Sequence, residues 1–229
     1  MTRLRRVFLP LALVALLLGG GIAVGPWLLW GDRADYSHVV SISSAREYQS
    51  PELLEKAWAL PVARLYRAEL VFQQNASFCG PASLVNVLHS QGKTGDQQSI
   101  LAGTDILTFA GMLPGGLTLD ELAEVATQTL GSKVTVLRDL EVSRFRWHML
   151  HANDPSRRYV VNFSRGPLFG SGSGHHSPIA GYLPDEDLVL VLDVNRRFGP
   201  WLVKSQRLHE AMNTVDPTAN EKRGLLLIE

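Results

Sequence analysis

The chain has 229 residues, with 22 basic and 22 acidic side chains and one cysteine. That charge balance leaves no electrostatic footprint for nucleic acid. A single cysteine excludes an internal disulfide and any zinc site built on clustered thiols.

The N-terminus opens with MTRLRR and continues without charge from Val7 to Trp30. The run is about long enough to span a bilayer, carries Trp27 and Trp30 at its end, and has no A-x-A-like cleavage site. It reads as an uncleaved signal-anchor over residues 1–30, with a cleaved signal peptide as the alternative. Arg3, Arg5 and Arg6 then stay cytoplasmic, and the domain is inner-membrane anchored on the periplasmic side. Residues 31–50 are polar and read as a linker or lead-in, leaving 51–229 as the folded domain. Residues 51–70 have a helical pattern that breaks at Pro61. CGPASLVNVLHS, 79–90, is a helix, and 92–116 is mainly loop. Thr118 and Glu121 offer a capping box for a helix over 118–130, which Gly131 ends. Residues 134–137 form a short strand and 142–151 a further helix. Beyond residue 158 the texture turns to β, in YVVNF, SPIAGYL, LVLVLDV, WLVK and GLLLIE, with the amphipathic QRLHEAMN before the last run. Helices first and strands second predict an α+β fold with an antiparallel sheet.

Cys79 falls where a helix begins. A helix N-terminus stabilises a thiolate through its dipole and free N–H groups. A buried structural cysteine is the bland alternative. A cysteine nucleophile also needs a base and a group that orients it. Of seven histidines, His38 lies in the lead-in and His89 at a helix end. His148 and His151 flank Trp147 and read as packing, and His209 is on the late helix. His175 and His176 follow the glycine-rich GSGSG and open a strand. Neighbours on a strand point to opposite faces, so only one of the pair is expected to face the cysteine. Asp193 closes the apolar LVLVL run eighteen residues after His175 and can orient an imidazole, or cap the following turn. Gln73, with the Cys79 backbone N–H, could form an oxyanion hole. Gln, Cys, His and Asp in this order are the papain-like arrangement.

These residues resemble the catalytic domain of phytochelatin synthases over roughly residues 60–229. Three blocks carry the resemblance: FQQNASFCGPASLVNVLHSQG, SGHHSPIAGYLPDEDLVLVLDVNRRFGPWLV and LHEAMNTVDPTANEKRGLLLI. The resemblance implies a papain-like cysteine-protease fold with a helical lobe and an antiparallel β-sheet lobe. It also implies a γ-glutamylcysteine dipeptidyl transferase or hydrolase acting on glutathione. On it Cys79 is the nucleophile, His175 the base, Asp193 its orienter and Gln73 the oxyanion donor. The choice of His175 over His176 rests on the family pattern. Asn162 and Gly174 match positions lining the acyl pocket, and Asp216 and Arg223 match the pair that grips the γ-glutamyl head. No cofactor or protein metal site is implied, since cadmium or zinc would enter as the metal–thiolate form of the substrate. The sequence lacks the cysteine-rich C-terminal region of plant members, so hydrolysis of glutathione is the expected half-reaction and transfer to a second glutathione the additional one. Two other readings compete: a papain-like leader peptidase, and a membrane-tethered module that binds γ-glutamyl compounds without catalysis.

Overall fold

The computed structural model describes residues 34–66 and 69–229. The expected signal-anchor over 1–30 lies outside them. Among the described residues no helix is long and apolar enough to cross a membrane.

The helices are α1 (Pro51–Trp58), α2 (Pro61–Tyr66), α3 (Cys79–Ser90), α4 (Leu119–Leu130), α5 (Val142–His151), the single turn α6 (Gly166–Phe169) and α7 (Ser205–Met212). The strands are β1 (Val134–Leu137), β2 (Arg158–Ser164), β3 (Gly174–Leu183), β4 (Leu188–Leu192), β5 (Pro200–Lys204), the small pair β6 (Val215–Asp216) and β7 (Glu221–Lys222), and β8 (Leu225–Ile228). Local chemistry explains the boundaries. Pro61 ends the first helical pattern and starts α2, where its missing N–H costs nothing. Thr118 caps α4 reciprocally with Glu121, and Gly131 stops it in the left-handed conformation at φ 62°.

One antiparallel sheet runs in the order β1-β8-β2-β3-β4-β5. Its two faces serve different helices because side chains alternate along each strand. Tyr159, Val161 and Phe163 of β2 join the core beneath α5 and α7, with Trp201 of β5. Val160, between them, joins the core formed by α3 and α4. A third cluster seats α1 and α2 on β3, β4 and β5. Asn162 has the parity of Val160, so it faces α3. Helix α3 is buried along almost its whole length, His89 excepted. This accounts for its near-continuous apolar sequence.

The lead-in also belongs to the domain. Ile42 and Tyr48 are buried in the sheet core. The Tyr48 carbonyl accepts the Leu202 N–H at 2.8 Å, beside the outer strand β5. Polar composition hid this, because the two anchoring side chains are isolated among serines and charges.

Candidate active site

Cys79 is the first residue of α3 and is buried. The residue before it, Phe78, offers no side-chain acceptor to the N–H groups of the first turn. Pro81 has no N–H and the Ala82 N–H is taken by the Phe78 carbonyl, so the Cys79 and Gly80 N–H groups are the ones suited to a ligand or a developing negative charge. Val194, just past β4, packs on Cys79. The Val194 carbonyl in turn accepts the Gln73 N–H at 2.8 Å. This tie brings the strand end that carries Asp193, the segment that carries Gln73 and the cysteine to one place. The Gln73 amide donates to the Asn75 carbonyl at 2.8 Å, and its Oε1 is buried without a partner.

His175 places Nε2 at 2.9 Å from Asp193 Oδ1 and lies close enough to the Cys79 thiol to lower its pKa. With Nε2 engaged by the carboxylate, Nδ1 is the nitrogen left for sulfur. Asp193 is fully buried and heavily bonded. It accepts the Asn195 N–H at 2.9 Å, the Trp201 indole N–H at 3.1 Å, and Arg165 Nη2 on both oxygens at 2.9 and 2.8 Å. The reading of Asp193 as a turn cap is thus partly right: the carboxylate does cap the turn while it holds the imidazole. Burial pushes its pKa up, but His175, Arg165 and the hydrogen bonds outweigh that and hold the carboxyl far below its usual range. Burial and the Arg165 charge push His175 down, yet Asp193 and the Cys79 sulfur raise it overall. Burial likewise opposes ionisation of Cys79, and the two neighbouring imidazoles overcome it, holding the thiol well below the ordinary value. The arrangement favours a thiolate–imidazolium pair backed by an anchored carboxylate.

Strand alternation predicted one histidine at the sulfur; the structure places two. His176 Nδ1 makes the hydrogen-bond contact, 3.8 Å from Cys79 Sγ, while His175, held on Asp193, is near enough to lower the thiol pKa as well. Both are among the first three residues of β3. His176 Nε2 is 2.5 Å from the Asn162 amide nitrogen, its cross-strand partner.

The residues matched to substrate binding lie beside this centre. Arg223 is buried and anchored by its Nη1 to the Val215 carbonyl at 2.6 Å and to Thr214 Oγ1 at 3.2 Å. Its Nε is buried without a partner. Asp216 Oδ2 is 4.0 Å from Arg223 Nη2. The guanidinium lies against Gly174: a Cβ built there would meet Nη2 at 2.7 Å and Nε at 3.1 Å. Glycine at 174, with no Cβ, thus lets Arg223 lie against the backbone next to His175.

The remaining histidines behave as packing or surface groups. His148 packs on Tyr159, His209 bonds the Leu140 carbonyl, and His38 and His89 are exposed. Sequence reasoning missed Arg165 and Trp201. Arg165 had a signal, a charge directly after an apolar strand and before the glycine-rich turn. Among the described residues no group of three or more His, Cys, Asp or Glu side chains is arranged to hold a metal ion.

A buried cysteine at a helix N-terminus, with a His–Asp pair from an antiparallel sheet beside it, is an arrangement suited to a cysteine nucleophile. A solved Bacillus anthracis structure described as a C39-like peptidase has the same fold, with a TM-score of 0.50, 13% identity, and coverage of 72% of this chain and 96% of that one. The family model for phytochelatin synthase matches residues 37–225, and the chain belongs to that family. Relatives include glutathione gamma-glutamylcysteinyltransferase 3 of Lotus japonicus, 36% identical over 117 residues, which are 49% of this chain and 24% of the relative. Glutathione gamma-glutamylcysteinyltransferase 2 of Arabidopsis thaliana is 28% identical over 170 residues, 68% of this chain and 37% of the relative. The chain thus spans well under half the length of these relatives.

Proposed function

We propose that the chain is a γ-glutamylcysteine dipeptidyl transferase and glutathione hydrolase using Cys79 as nucleophile. The observation that carries this reading is the Cys79–His175–Asp193 constellation, lying inside the stretch matched by the phytochelatin synthase family. The Cys79 thiolate attacks the carbonyl carbon of the Cys–Gly peptide bond, and a C–S bond forms. The oxyanion is held by first-turn N–H groups of α3 and by the Gln73 amide. The C–N bond breaks as imidazolium His175 gives its proton to the glycine amine. The γ-glutamylcysteinyl thioester is released when water, deprotonated by His175, attacks its carbonyl and the thiolate departs. A second glutathione amine attacking in place of water gives the longer γ-Glu-Cys oligomer.

Substrate recognition follows from the buried charges. Arg223 suits the α-carboxylate of the γ-glutamyl group as a planar fork, and Asp216 suits the α-ammonium. Asn162 and Gly174 line the acyl side. Cadmium or zinc would take part as a thiolate complex of the substrate. The uncharged stretch Val7–Trp30 supports membrane tethering, with the domain on the periplasmic side.

Product analysis by mass spectrometry tests the reading. Glycine and γ-Glu-Cys should form from glutathione with the native chain and not with Cys79→Ser. Absence of both products, with and without cadmium or zinc, would contradict it.

A further inference from the structure

His176 is buried, with 2% of its surface exposed, and the acyl-transfer scheme above gives it nothing to do. It nonetheless touches the reacting atom. Its Nδ1 is 3.8 Å from Cys79 Sγ, and its Nε2 is 2.5 Å from Asn162 Nδ2. An amide nitrogen only donates, so the ring nitrogen facing it must accept. Nε2 is then bare, and a neutral ring carries its proton on Nδ1, the nitrogen that faces sulfur. A sulfur anion accepts that proton in a hydrogen bond at this distance. A neutral thiol would give the ring only a weak contact.

We propose that His176 is a second catalytic imidazole, a neutral donor to the Cys79 thiolate whose tautomer is fixed by Asn162. Protons are not transferred in this role: the thiol proton resides on His175, and His176 N–H···S⁻ favours the charged pair. The groups around it are those already placed. Cys79 comes from α3, His175 from β3, and Asp193 with Arg165 behind it from the end of β4 and beyond β2. Arg223 and Asp216 stand at Gly174, one residue from His175. Asp193 is committed to His175 and Arg165, so no carboxylate is shown on His176. Its hydrogen-bonding neighbours are an amide and a sulfur, which suits a neutral ring. The same arrangement leaves Asn162 Oδ1 buried and without a partner, free to accept an N–H of the acyl group. Asn162 would then hold His176 with one end and substrate with the other.

The proposal rests on Cys79 being the nucleophile, but its test needs no substrate. The rate of iodoacetamide alkylation of Cys79 is measured against pH in the full chain, in His176→Phe and in His176→Gln, with thermal unfolding followed in parallel. The midpoint of thiolate formation is expected to rise by about one pH unit in both variants, roughly a tenfold slower alkylation at pH 6. Asn162→Leu should shift it in the same direction by less. Long-range proton–nitrogen spectra of the native chain should show His176 protonated at Nδ1 and bare at Nε2. An unmoved alkylation profile in a folded His176 variant, or the opposite tautomer, would overturn the proposal. If the profile shifts while the native chain fails to turn over glutathione, the role of His176 stands and the substrate assignment falls.

Discussion

Arg165 lays a single guanidinium nitrogen across both carboxylate oxygens of Asp193, at 2.9 and 2.8 Å. This contact joins the larger effect of His175 in holding the buried carboxylate charged. Arg165 is itself held over the ring of Phe198, with Cζ 3.9 Å from the ring centre. Together with His175 it offsets the cost of burying the Asp193 carboxylate. Arg165 also opposes the positive charge of His175, so it restrains the very shift that Asp193 produces.

Arg165→Ala is therefore expected to destabilise the fold by about 3–5 kcal/mol, because it leaves a buried carboxylate short of its partner. Arg165→Lys should recover part of the stability, since it restores charge without the planar stacking on Phe198. Chemical denaturation of the two variants checks the order.

Trp201→Phe removes the indole N–H that donates to Asp193 Oδ2 at 3.1 Å and keeps most of the aromatic packing. Loss of one donor to a buried charge should cost about 1–3 kcal/mol. Asp193 keeps its bonds to Arg165, His175 and Asn195, so activity should fall less than in Asp193→Asn. Parallel denaturation and turnover measurements test this.

The pH dependence of stability carries a definite sign. The folded pKa of Asp193 is depressed, so its contribution is present above the unfolded carboxylate value of about 3.9 and is lost as pH falls toward the folded value. The stability gap between the native chain and Asp193→Asn should accordingly narrow as pH is lowered from 5 to 3. A gap that widens over that interval would show that the carboxylate is not held charged by the fold.

Gly174→Ala places a methyl group 2.7 Å from Arg223 Nη2 and 3.3 Å from Cζ. The guanidinium must move, and its anchors at Val215 and Thr214 leave it little room. Steady-state kinetics should show KM for the γ-glutamyl substrate rising at least several-fold. The alkylation rate of Cys79 should change little, because the sulfur and its imidazoles are not displaced.

The sequence made a good part of this architecture legible. The capping box at Thr118, the stop at Gly131 and the break at Pro61 are local chemistry and appear where expected. The β-rich second half was visible from its apolar runs, and Asp193 stood out as a charge closing one of them. What was not visible depended on contacts across strands. Nothing local says that Asn162 and His176 are register partners, since pairing between β2 and β3 is a property of the sheet. The alternation rule also misled: it expects one imidazole to act on the thiol, and both do. Trp201 is read as an ordinary core aromatic until the fold brings its N–H to Asp193. The role of Tyr48 in the core was hidden in a polar segment for the same reason.

The central claim is that Cys79 carries the acyl group. The most direct measurement is intact-mass analysis of the native chain quenched in acid within the first turnovers on glutathione, alongside Cys79→Ser and His175→Gln. A γ-glutamylcysteinyl thioester mapped to Cys79, released as glycine accumulates and absent from Cys79→Ser, is the predicted result. Glycine formed with no adduct on Cys79, or formed equally by Cys79→Ser, would contradict the account.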